Sequence, residues 1–331
     1  PMHPHFSENA SRDALQKSLN AMAAVLGDQA FAERVAREIV ARTQPQQAVP
    51  EVYGHFRSVV ADGIRFFLSR VNRRRLVELV VSQLELDPAT GSQERLLELA
   101  KRFPTLHKLG QIIARNPAID PAVKKWLVHL ENGCYGAPLE GIIERIYGQL
   151  EQIDTRDQVQ VQPFILSEAS VGAVVPFIWR QPRQQGLLEG VFKVLKPGIR
   201  RCLDEELAIL EKTALFFEAN RTAYPLKDFR FLSVFQEVRD MLVNEINLAG
   251  EQAYLLEAAR FYEDMPSIQI PALLPFNTDA MTAMAYLNGP KITDAPLNPQ
   301  QRRHCAAVLF EALVCRCLLY TSDAADDLYT V

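Results

Sequence analysis

The sequence predicts an α+β fold, mostly helical, in which a helical N-terminal half is followed by a small β-sheet with a long helix inserted. Two observations carry this. Apolar residues recur at helical spacing through the first half of the chain. From Val159 to Pro197 β-branched residues take over, with Gly and Pro between the runs. There is no internal repeat.

The elements follow in order. Over residues 13–43, Leu15, Leu19, Met22, Leu26, Phe31, Val35 and Ile39 fall at helical spacing, and Pro45 to Pro50 stops the run. A second helical run over 56–86 carries the basic cluster Arg70, Arg73, Arg74 and Arg75, and Asp87-Pro88-Ala89-Thr90-Gly91-Ser92 ends it with turn chemistry. The cluster reads first as a solvated helix face, and second as a membrane-surface or partner contact. Helices are expected over 94–103, 106–115, 122–130 and 139–153. Strands are expected over 159–166, 171–180 and 187–195, with a hairpin loop at 181–186. Helices over 199–220 and 232–262 follow, then short strands at 268–271 and 280–286, a turn at Asn288-Gly289-Pro290 and a helix over 299–319.

Composition bounds the function. The 331 residues are 48% hydrophobic and 23% charged, long enough for two domains and a sizeable core. With 36 basic against 40 acidic residues, net −4, the chain lacks the basic excess of a nucleic-acid binder, and no nucleic-acid partner is expected. No apolar run approaches the roughly 20 residues that span a bilayer, and no signal peptide opens the chain. Cys134, Cys202, Cys305, Cys315 and Cys317 form no CxxC pair and no zinc spacing, so reduced thiols in the cytoplasm and no metal site are expected.

The chemistry concentrates around Lys193. A lysine centred in Val191-Phe192-Lys193-Val194-Leu195 is unusual, because burying an ammonium is costly unless it is paired. Upstream, Ser167-Glu168-Ala169-Ser170 is a small-residue turn between two strands. Strand, small-residue loop, strand, hairpin, strand with lysine is the order in which a protein kinase places a loop over the ATP phosphates and a lysine against them. The lysine needs an acidic partner from a following helix, for which Glu245 and Glu251 are both candidates. On the helix around Lys108, Leu106, Leu109 and Ile113 share one face while Lys108 and Gln111 share the opposite one.

These residues resemble the UbiB/AarF group of atypical kinase-like proteins, also called ADCK proteins, over residues 95–316. Lys108-Leu109-Gly110-Gln111 is similar to the family's KxGQ signature. Ser167-Glu168-Ala169-Ser170 sits where the family has an alanine-rich loop in place of a glycine-rich one. Lys193 with Lys196-Pro197-Gly198 is similar to its strand lysine, and Glu245-Ile246-Asn247 with Glu251-Gln252-Ala253 to its ExD-then-Glu-Ala helix. The resemblance implies a protein-kinase-like N-lobe preceded by a helical extension. It implies that Lys193, Glu251, Ser167, Ala169 and Ser170 bind ATP or ADP with Mg2+, with Lys193 paired to Glu251. Lys108, Gln111 and Glu245 would gate the site, with Lys108 paired to Glu245. If those pairs are buried, removing one partner costs about 3–5 kcal/mol. A Cβ in the loop restricts positive φ, which predicts altered nucleotide preference and poor ordinary kinase activity. Two departures stand out: Asn247 replaces the ExD aspartate, and Ala285 the usual hinge acid.

The implied division is 1–94 helical region, 95–158 extension with the KxGQ motif, 159–290 N-lobe and 291–316 start of the C-lobe. No His-x-Asp loop and no Asp-Phe-Gly occurs from Asp294 onward, so no catalytic-loop residue is assigned. Residues 317–331 read as translated sequencing-library adapter, so Asp323, Asp326 and Asp327 are not expected to be a carboxylate cluster. The expectation is therefore a truncated, inactive fragment, aggregation-prone through Leu309, Phe310, Leu313 and Val314. The family-level activity implied is an ATPase or phosphotransferase supporting ubiquinone or other isoprenoid-lipid biosynthesis. Its partners would be lipid or lipid-biosynthesis enzymes, in the cytoplasm with possible peripheral membrane contact. The alternatives are a non-catalytic nucleotide-binding pseudokinase scaffold and a helical adaptor without a ligand.

Overall fold

The computed structural model describes residues 11–108, 137–181, 186–226, 229–290, 292 and 294–315. Most of the expected helix over 106–115, all of that over 122–130, and residues 317–331 lie outside them. The chain forms two compact units. One gathers the N-terminal helices with Ser167–Ala173 and Leu195–Ile246; the other takes Leu139–Leu166, Val174–Val194 and the chain from Asn247.

In the first unit, the single helix expected over 13–43 is two, α1 (Arg12–Leu26) and α2 (Asp28–Thr43). Gly27 separates them at φ 80°, a conformation that a Cβ disfavours, and its N–H closes α1 onto Ala23. The run over 56–86 splits likewise into α3 (Arg57–Leu68) and α4 (Arg73–Leu84), where the Asn72 side chain caps α4 by accepting from the Arg75 N–H. Then comes α5 (Ser92–Lys101). Phe31, Phe67, Leu68, Leu76, Leu79, Leu99 and Phe103 fill one core, all essentially inaccessible.

The basic cluster is not one solvated face. Arg73 and Arg74 pair at the surface with Asp28 and Glu78. Arg75 points inward and pairs with Glu206, which is fully buried on the later helix Ile199–Ala219. The guanidinium also lies 4.8 Å over the Phe103 ring. Glu206 accepts from the Thr105 N–H at 3.0 Å, the Thr105 hydroxyl at 2.6 Å and the Cys202 thiol at 3.3 Å. Every side of this carboxylate is satisfied, which is what makes a fully buried charge tolerable.

The second unit holds α6 (Leu139–Gln152) and most of a five-stranded sheet: β1 (Val159–Val161), β2 (Ser167–Glu168), β3 (Gly172–Arg180), β4 (Leu187–Leu195) and β5 (Met281–Ala285). The order is β1-β3-β4-β5, with β2 paired off this path to β3, and β1–β3 and β4–β5 are antiparallel. Phe177 and Phe192 stack at 4.0 Å, with Phe276 edge-on to both. No strand forms at 268–271. Pro266 and Pro271 remove donors at the two ends of this segment. Pairing with β5 comes only beyond it, as an isolated bridge of Leu273 with Met284 flanked by the Leu274 N–H donating to Ala283 and the Ala285 N–H to Ala272.

Gly198, at φ 73°, turns the chain from Lys196-Pro197 into α7 (Ile199–Ala219). The run over 232–262 breaks into α8 (Phe231–Glu245) and α9 (Leu248–Phe261). Asn247 caps α9, its side chain accepting from the Gly250 N–H at 2.9 Å. A capping box of Asn298 and Gln301 starts α10 (Pro299–Phe310), and a π-type turn, Glu311–Cys315, follows it. Leu309, Phe310, Leu313 and Val314 are exposed.

Two predictions follow from the buried carboxylate. Glu206→Ala strands Arg75 and should cost about 3–5 kcal/mol in urea unfolding, whereas Glu98→Ala at the surface should cost less than about 1 kcal/mol. Burial, reinforced by Glu206, pushes the Cys202 thiol from 9.0 up to about 12. The native state therefore holds this proton more tightly than the unfolded chain does. That contribution should be fully present below pH 9.0 and lost as pH rises through about 12, and replacing Cys202 with Ala should flatten this limb of the stability profile.

Candidate functional site

Lys193 sits on β4, an interior strand of the sheet, with β3 and β5 on either side. Its cross-strand partner on β5 is Thr282. Both carboxylate oxygens of Glu251 lie 2.6 Å from the Lys193 ammonium. Glu251 stands in the first turn of α9, where the partial positive charge of the helix N-terminus favours a carboxylate. Of the two acidic candidates, the geometry selects Glu251 for Lys193. The pair is not buried: the side chains are 33% and 37% exposed. The expected penalty of a buried pair therefore does not apply here, and water screening brings the contribution to about 0–1 kcal/mol.

Glu245 takes the other lysine. Lys108 lies 2.5 Å from it, and this pair is more enclosed, at 12% and 34% exposure. Glu245 is the last residue of α8, where the helix carbonyls disfavour a negative charge, so the ammonium offsets an unfavourable position. Gln111 lies outside the described residues.

The small-residue loop is tighter than its sequence suggests. Ser167 and Glu168 form β2, leaving only residues 169–171 as the turn, and the Ala169 N–H donates to Gly172 at 2.8 Å. Ser167 and Ala169 are exposed, whereas Ser170 is buried. The Lys196 ammonium, 7% exposed, lies 2.8 Å from Glu168, an ion pair by distance whose angles fall outside hydrogen-bond geometry. The Lys196 N–H also donates to Val171 at 2.9 Å. Sequence reasoning missed this pair, although an acid in a small-residue loop and a lysine just before Pro-Gly were both visible.

At the other end of β5, Ala285 closes the strand, and exposed Tyr286 and Leu287 lead into Asn288-Gly289-Pro290. Among the described residues no group of three or more His, Cys, Asp or Glu is arranged to hold a metal ion. Among the same residues, no helix is long and apolar enough to cross a membrane.

A strand lysine held by a glutamate in the first turn of a following helix, on a small antiparallel sheet, defines a protein-kinase-like N-lobe. Residues 168–320 match the ABC1 atypical kinase-like domain. The chain is 26% identical over 215 residues to proteins described as "Probable protein kinase UbiB" from Klebsiella pneumoniae subsp. pneumoniae and from Klebsiella pneumoniae strain 342. Each alignment covers 63% of this chain and 37% of the relative, so the chain spans little more than a third of the length of these curated relatives. The Rv3197–erythromycin complex from Mycobacterium tuberculosis is similar at 19% identity and a TM-score of 0.39, over 60% of this chain and 48% of that one, too distant to carry an argument. These similarities support the resemblance to the UbiB/AarF group of atypical kinase-like proteins. Lys108 lies N-terminal to the matched domain, and the other paired residues lie within it.

Because the Lys193 pair is open to water, Lys193→Met should change unfolding free energy by no more than about 1 kcal/mol, measured by urea denaturation. A loss several times larger would mean that the pair is a structural element.

Proposed function

We propose that the chain is the nucleotide-binding part of a UbiB-type kinase-like ATPase or phosphotransferase. The observation that carries this is the half-open Lys193–Glu251 pair. A lysine locked on all sides has no capacity left for a ligand. One that is a third exposed and oriented by a carboxylate can turn a donor towards phosphate oxygens without losing its own placement.

ATP or ADP would meet Lys193 through its phosphates, and the resemblance assigns Ser167, Ala169 and Ser170 to the nucleotide as well. Bound ATP supplies a transferable phosphoryl group, and Mg2+ arrives with it. The chain's own part is to bind and orient. Asn247, at the position of the family's acidic residue, is an uncharged carboxamide whose oxygen already accepts the α9 cap bond, which makes it a weaker metal donor than a carboxylate. The Ala169 Cβ narrows the turn and disfavours the wrapped phosphate geometry of a glycine loop. The resemblance assigns Lys108, Glu245 and Gln111 a gating role. By its resemblance to UbiB-type proteins, its role would be to support ubiquinone or other isoprenoid-lipid biosynthesis, acting on lipid or on lipid-biosynthesis enzymes in the cytoplasm, at a peripheral membrane surface. The chain as given carries no catalytic-loop Asp and binds nucleotide without turning it over.

A second reading, a non-catalytic scaffold that binds nucleotide and organises partners, is favoured by Asn247 and by Ala285 at the hinge. It differs in predicting that the full-length protein also lacks turnover.

Thermal unfolding with and without nucleotide tests the proposal. At about 100 times Kd, Mg-ATP or Mg-ADP should add about 2.7 kcal/mol, a rise of several degrees in Tm, and Lys193→Met should abolish it. No shift with either nucleotide overturns the binding claim. Sustained ATP hydrolysis that Lys193→Met removes overturns the claim of no turnover.

A further inference from the structure

Gln252 follows Glu251 on α9, and its carboxamide is committed to the neighbouring strand. The Nε2 atom lies 2.9 Å from the Thr278 carbonyl, 3.2 Å from the Met281 carbonyl and 3.0 Å from the Thr282 hydroxyl. A carboxamide has two N–H donors, so one of them is shared between two of these acceptors. Thr282 is fully buried and is the residue directly opposite Lys193 in the β4–β5 ladder. Directly opposed residues project to the same face of a sheet. Two consecutive helix residues thus grip two opposed strand residues: Glu251 takes Lys193, and Gln252 takes Thr282. Behind the grip, the Thr278 hydroxyl lies 2.6 Å from the buried Gln149 side-chain oxygen on α6.

The two halves of this grip differ in strength. The Lys193–Glu251 pair is a third exposed and joins a long, flexible side chain to a carboxylate, so it does not by itself fix where α9 begins. Gln252 bonds to backbone carbonyls and to a hydroxyl at 0% exposure, groups with no freedom to follow a moving helix. We infer that Gln252 is a positioning residue: by pinning the first turns of α9 to β5, it holds Glu251 against Lys193 and so presets the lysine that meets nucleotide. The inference rests on the nucleotide reading of Lys193 for its functional consequence, but not for its geometry. It also ties α6 to the site through Gln149 and Thr278.

The test uses the full chain and four variants. Gln252→Met keeps the side-chain length and removes the donors; Thr282→Val removes the acceptor hydroxyl and keeps the shape. Thr282→Ser restores a hydroxyl, and Gln149→Met loosens the support. Each protein is treated briefly with acetic anhydride, and acetylation of Lys193 relative to exposed Lys212 is read by mass spectrometry. Mg-ATP affinity and the urea midpoint are measured alongside. An ammonium held between two carboxylate oxygens must leave the pair and give up a proton to solvent before its amine can attack the anhydride and release acetate. Gln252→Met and Thr282→Val should therefore raise relative acetylation of Lys193 by about threefold to tenfold, with Gln149→Met smaller and Thr282→Ser near wild type. Unchanged acetylation in Gln252→Met and Thr282→Val, with a lowered urea midpoint, overturns the inference and leaves Gln252 a stabilising contact only. If acetylation rises while the wild-type chain fails to bind Mg-ATP, the positioning role stands and the nucleotide reading of Lys193 falls.

Discussion

An ammonium on an interior strand needs a counter-charge from the layer above the sheet, and much of the second unit is arranged to provide one. Lys193 lies between β3 and β5 with Phe192 and Val194 buried on either side of it in the chain. Its own side chain is a third exposed, so water screens the charge and Glu251 orients the ammonium more than it stabilises it. Supplying Glu251 requires α9 to begin at Leu248, because a glutamate at the start of a helix has its carboxylate near free backbone N–H groups as well as near the lysine. That start in turn requires the break after α8 and the Asn247 cap. The β4–β5 register then sets Thr282 beside Lys193, within reach of the residue after Glu251.

Two ion pairs in this protein show what burial does to the meaning of a charge. Glu206 is closed off completely, and Arg75, Thr105 and Cys202 consume its lone pairs. Such a carboxylate has nothing left for a ligand; it specifies how α4 and α7 meet. Burial alone would lower the Arg75 pKa, but Glu206 together with Cys202 and Glu205 holds the guanidinium pKa above its ordinary value. Lys193 and Glu251 are instead half-open, so they contribute little to stability and retain capacity for phosphate. Lys108–Glu245 lies between the two. A basic–acidic pair is closed in one place and half-open in another, and exposure decides how much capacity each has left.

The helix breaks show where periodicity misleads. At Gly27 and at Asn72 the apolar spacing continues across the break because the helices on both sides face one core, so the pattern that announces a helix also hides its end. Gly and Asn at those positions were the available signals, as was Asn247 between α8 and α9. The expected strand at 268–271 failed for the opposite reason: β-branched residues were present, but the prolines remove donors at its ends and pairing comes only beyond it. β4 was legible to the residue, bounded as it is by Gly186 before it and Pro197-Gly198 after it.

By itself the sequence determined that a lysine sits mid-strand, that two glutamates follow on helical segments, and that a small-residue turn precedes them. These are properties of residue type and spacing, and local chemistry encodes them. The residues alone left Glu245 and Glu251 both open as partners of Lys193; the resemblance implied the Lys108–Glu245 and Lys193–Glu251 pairings, and the folded geometry has both. What only the tertiary structure decided was burial. That Arg75 turns inward while Arg74 stays solvated, that Lys196 meets Glu168, and that Gln252 reaches Thr282 all depend on which surfaces meet after the chain has folded back across long separations. No window of neighbouring residues contains that information, because the energy of a charge or an amide is set by the atoms that replace its water.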